Sequence, residues 1–149
     1  MSDGLYTVGV FQDLTWAERG VAALVADGFR PESLTILAKH TDAAAAFIEA
    51  TLGPPVERLE LKTLGPAVAR GPLLTALRGR DDELSRAGLA GAFTRAGFQP
   101  HDGYIFESLT GRGGVLVAVQ SEPRAADALA KLHAYGGGNA AIGAYVGRV

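Results

Sequence analysis

A chain of 149 residues, 48% of them hydrophobic, is long enough for one domain with a real core and too apolar for disorder. It has no cysteine, which excludes disulfides, zinc–thiolate sites, iron–sulfur clusters and thiol nucleophiles. The formal net charge of -2, with basic residues scattered, advertises no polyanion-binding surface, so no nucleic acid partner is expected.

In chain order, residues 6–11 (YTVGVF) predict a strand and are followed by a helical pattern from Trp16. Asp13 is the candidate cap of that helix, with Thr15 as the alternative. Ala17, Val21, Leu24 and Val25 make one apolar face, and Asp27-Gly28 is the stop. Residues 34–38 (LTILA) predict the second strand. Residues 41–52 predict a helix capped by Thr41 or Asp42 and ended by Gly53-Pro54-Pro55. Residues 56–61 alternate apolar and charged, as an edge strand does. Two helices are expected next, over 66–77 and 82–96, with a turn at 79–81. Pro100 opens a third, which carries Tyr104, Ile105, Phe106 and Leu109 and is closed by the glycines of 111–114. Residues 115–119 (VLVAV) are a strand. Residues 122–135 are a helix with Ser121 as cap and Pro123 in its first turn. Gly136 to Gly138 break it, and residues 141–146 form the last strand.

The two ends of the chain repeat one another. A shift of 108 positions, without gaps, matches Gln12 to Gln120, Ala17 to Ala125, Val21 to Leu129 and Leu24 to Leu132. It also matches Ala26 to Ala134, Gly28 to Gly136 and Leu34 to Ile142. Each copy reads strand, helix, glycine stop, strand. Two such units in one small chain predict an α+β, ferredoxin-like split β-α-β fold with a four-stranded antiparallel sheet. The helices at 16–27 and 122–135 then lie on one face, and the strand at Leu116 lies between those at Val8 and Ile36. The chain is read as a single domain, 1–149, with a helical insertion at about 42–111 between the second and third strands.

The segments VGVF (8–11), WAERGVAALVADGF (16–29) and ESLTILAK (32–39) resemble the opening of bacterial general stress proteins, a small heat-induced stress protein family. The pattern GPLLTALRG, LAGAFTRAGF and YIFESLTGRGGVLVAV, within 71–119, is similar to that family's helical insertion, tyrosine-bearing helix and GG-x-L-V-x-V strand. Tyr104, Gly113, Gly114, Leu116, Val117 and Val119 occupy those places. Arg78, Arg80, Asp81, Asp82, Glu83 and Arg86 depart from the smoother Gly/Ala-rich hairpin of the family. The resemblance implies a stress-associated protein without established enzymatic chemistry, and it carries no catalytic residue across.

The residues themselves offer few sites. His40, His101 and His133 lack the i, i+4 spacing of a helical metal pair, so no metal and no cofactor is expected. The glycines of 111–114 and 136–138 end helices instead of opening them, the reverse of a phosphate cradle. Asp81, Asp82 and Glu83 open a helix, where carboxylates favour the macrodipole. Ser108 and Thr110 have no general base near them in sequence. Trp16, the one tryptophan, reads as a packing residue.

Two functions remain. The first is a non-enzymatic stress-associated protein acting through self-association or partner binding. A four-stranded sheet leaves one face open to the insertion, a second subunit or solvent, and the surplus apolar stripes point to a homo-oligomer. Leu73 and Leu77, and Leu89 and Phe93, each four apart, are its candidate interface. The second is a small-molecule sensor or enzyme using the uncovered sheet face as a cleft, with Tyr6, His101 and Arg112 as candidate polar groups. No apolar run is long enough to span a membrane, and residues 1–6 lack the pattern of a signal peptide. A cytoplasmic location is the expectation.

Overall fold

Alternation along the central strand sets the architecture. In β5 (Val115–Gln120), Val115, Val117 and Val119 face one way and Leu116 and Ala118 the other, and all five are buried. A strand apolar on both sides needs cover on both sides. The computed structural model, which describes residues 4–120, 124–135 and 141–145, supplies it as an α+β molecule of three layers. β1 (Gly4–Phe11), β2 (Leu34–Lys39), β3 (Glu57–Leu61), β4 (Gly65–Arg70), β5 and β6 (Ala141–Tyr145) form one antiparallel sheet in the order β3-β4-β2-β5-β1-β6.

The strand at Leu116 does lie between those at Val8 and Ile36. β5 pairs with β1 on one side, where Val10 meets Leu116, and with β2 on the other, where Ile36 meets Val117. Gly9 pairs with Val117, which is its own counterpart under the 108-residue shift. A local two-fold therefore passes through that pair. The outer pairings are offset. Leu34 meets Val119, yet its counterpart Ile142 meets Thr7 and not Phe11, four residues away. The offset is even, so the alternation of the register is kept.

One layer consists of α1 (Leu14–Ala26), α2 (Asp42–Leu52) and α6 (Ala125–Ala134). Ala17, Val21 and Leu24 of α1, Ile48 of α2 and Ala128 and Leu132 of α6 share a core with Ile36, Val68 and Val117. Asp13 caps α1 by accepting from the Trp16 N–H at 3.0 Å, and Thr41 caps α2 by accepting from the Ala44 N–H at 3.0 Å. Arg124 ties the two repeat helices together. Its Nη1 and Nη2 donate to the Asp27 carbonyl (2.8 Å) and carboxylate (2.9 Å), and its guanidinium lies 4.4 Å from the centre of the Phe29 ring. The cap expected at Ser121, the first turn at Glu122 and Pro123, the stop at Gly136–Gly138 and Val146 lie outside the described residues.

The opposite layer corrects two expectations. The sheet has six strands, not four: the edge strand expected at 56–61 forms as β3, and the unexpected strand β4 joins it to β2, so the insertion adds a hairpin to the sheet. The helix expected over 66–77 is strand β4 followed by the short α3 (Leu73–Arg78). Gly71 separates them at φ +136, a conformation no helix interior allows. A Cβ on Gly71 would lie 2.3 Å from the Thr35 Cα, so only glycine fits there. Thr35 Oγ1 in turn accepts from the Leu73 N–H at 2.9 Å and starts α3.

α3, α4 (Glu83–Arg95) and α5 (Pro100–Gly111) cover the second face and pack on Val8, Val10, Leu37 and Leu116. Phe93, Phe98 and Phe106 meet edge to face, with ring centres 5.0, 5.0 and 6.1 Å apart. α4 breaks at Gly88 (φ 86, ψ 178), and the Glu107 carboxylate of α5 repairs the break. Its Oε2 accepts from the Leu89 N–H (3.1 Å) and the Ala90 N–H (3.3 Å), the free donors of the second helical segment. Among the described residues no helix is long and apolar enough to cross a membrane.

Candidate functional site

At one end of the sheet, β2 begins beside the end of β4 and the start of β3, because Ile36 pairs with Arg70 and Ala69 with Glu57. The layers from the two faces part there and leave a cleft of about 350 Å³, at the small end of the usual range for ligand sites. Its apolar lining comes from four places: Pro31 of the 3₁₀ turn Pro31–Ser33, Leu34 at the start of β2, Leu52 at the end of α2, and Pro72 before α3. Its charged lining is Glu32, Glu57 and Arg70.

Each charge has a local cause for its position. Arg70 closes β4, and its guanidinium reaches back to the end of α2. Nε donates to the Leu52 carbonyl at 3.2 Å and Nη1 to the Pro55 carbonyl at 3.1 Å. A cation is favoured at that helix terminus, where carbonyls lack helical partners. Among the described residues Arg70 Nη2 makes no hydrogen bond. Glu57, opening β3, is paired with Arg78 at the end of α3. Glu32 stands in the 3₁₀ turn, largely exposed, 3.6 Å from Arg30. A second hollow of about 330 Å³ lies beyond the Pro54–Pro55 loop, with His40, Asp42, Glu49 and Arg58 on its walls.

The residues singled out from the sequence do not converge on this cleft. Leu73, Leu77, Leu89 and Phe93, expected at an interface with a second copy, are at most 1% exposed. They belong to the chain's own core, because α3, α4 and α5 fill the sheet face that was expected to be open. Filling that face also removes the uncovered cleft expected there. Tyr6 is buried opposite Gln120, while Arg112 is exposed in the turn leading to β5, whose first residue pairs with Phe11. Five residues of strand, roughly 17 Å, separate those two levels of the sheet. His101 is exposed at the start of α5, the end opposite Arg112. His40 lies in the loop after β2, His101 on α5 and His133 on α6, and no group of metal-ligating side chains occurs among the described residues.

Asp81, Asp82 and Glu83 form the turn and first residue of α4, as their helix-opening pattern implies. Thr110 is buried. Trp16 packs beside the first core, with the Arg19 guanidinium 5.2 Å from its ring centre. The cleft residues were missed for a specific reason. Arg70 was read into a helix, which hides that it ends a strand; the Gly71-Pro72 pair after it was the available sign of a chain reversal. Comparison with protein-family models, with curated proteins and with solved structures finds no match to this chain.

Proposed function

We propose that this chain is a stress-associated protein of ferredoxin-like, split β-α-β type that works by binding and not by catalysis. The strand order β2-β5-β1-β6 and the pairing of Gly9 with Val117 support the fold assignment. The stress association rests on the segments within 8–39 and 71–119. The observation that carries the binding reading is the cleft at the start of β2, where Glu57 and Arg70 are held in place by structural partners above an apolar floor. Charges fixed before a ligand arrives lower the ordering cost of recognition. Binding through a second copy at Leu77 or Phe93 is not available to a folded chain, so the cleft replaces that surface in the proposal.

A fragment library titrated against the isotopically labelled protein tests the reading. Amide shifts from at least one chemical class should concentrate at Glu32, Leu34, Leu52, Glu57 and Gly71. Shifts scattered over the surface, or none, would sink it.

A further inference from the structure

We infer that the cleft takes a small zwitterion, an α-amino acid with an aliphatic side chain. The inference rests on the binding reading above and names its ligand. The argument is one of complementarity.

The cleft holds charge of both signs, which neither a simple anion nor a simple cation satisfies. Arg70 spends Nε and Nη1 on the Leu52 and Pro55 carbonyls, which fixes the plane of the guanidinium and leaves Nη2 to meet a carboxylate end-on. Glu32 and Glu57 supply acceptors for an ammonium group. Glu57 is oriented by Arg78, whereas Glu32 is free to close over a ligand because its contact with Arg30 is long and solvent-exposed. The rest of the lining includes Leu34, Leu52, Pro31 and Pro72, none with a hydrogen-bonding side chain. It suits a branched hydrocarbon. A volume of about 350 Å³ accommodates an amino acid.

The test uses three probes that share one hydrocarbon: leucine, 4-methylpentanoate, which lacks the amine, and 3-methylbutylamine, which lacks the carboxylate. Each is titrated against the full chain by amide shifts. Leucine is expected to saturate at the cleft amides, with each single-charge analogue at least about tenfold weaker. Glu32→Gln changes an exposed side chain and leaves the fold intact. It should weaken leucine about tenfold and leave 4-methylpentanoate unchanged. Equal affinity for leucine and either analogue at the same amides overturns the zwitterion and leaves the cleft standing as a binding site. Leucine shifts elsewhere, or none, also overturn it. If the fragment library is silent at the cleft as well, the broader reading falls with it.

Discussion

Truncating Glu107 to alanine strands two backbone donors at once, the N–H groups of Leu89 and Ala90. Glu107 is only partly buried, so water recovers some of the loss, and the expected cost is about 2 kcal/mol in urea denaturation. Glu107→Gln keeps a side-chain oxygen that accepts from the same donors and should cost less than half as much. Equal losses for the two variants would mean that the negative charge of the carboxylate, and not its packing or a neutral oxygen acceptor, holds the break in α4. No local pattern announces this partnership, because the donors and the acceptor are 17 and 18 residues apart and belong to different helices. Asp13 and Thr41 were legible as caps because donor and acceptor lie within one turn of sequence.

The same contrast holds for elements. α1 and α6 were readable from a periodic apolar face, and β1, β2 and β5 from short runs rich in β-branched and aliphatic residues. The span 66–77 was misread because Ala67, Val68 and Ala69 suit either period. What decides it is a partner: β4 pairs with β2 and buries Ala67 and Ala69 on one face and Val68 on the other. That error also hid the cleft, which exists only because the chain turns at Gly71. The leucine stripes were recognised correctly as apolar but assigned to the wrong neighbour. Leu77→Asp or Phe93→Asp should therefore unfold the chain and not release a folded monomer, since a charge without a partner would enter a closed core. Loss of near-UV circular dichroism and of a cooperative melt is the expected result. A folded variant with lower mass in sedimentation would restore the interface.

For the molecule as a whole, the sheet order predicts a gradient of local stability. Each of β1, β2, β4 and β5 is paired on both sides, whereas β3 and β6 are edges. Native-state hydrogen exchange should be slowest in β5, β2 and the middle of β1, and faster in β3 and β6. Slower exchange in the β3–β4 hairpin than in β5 would place the stability core in the insertion instead. The strand order also has a consequence for synthesis. β1 and β2 leave the ribosome with a gap between them that only β5 fills, and β5 begins about 75 residues after β2 ends. At roughly 5–20 residues per second, the nascent chain waits about 4–15 s with that gap open. Meanwhile α3, α4 and α5 emerge with nothing complete to dock on. During that interval the inner edges of β1 and β2 are free to accept any passing strand. A rise in temperature or in crowding by other unfolded chains strikes this protein hardest while it is being made.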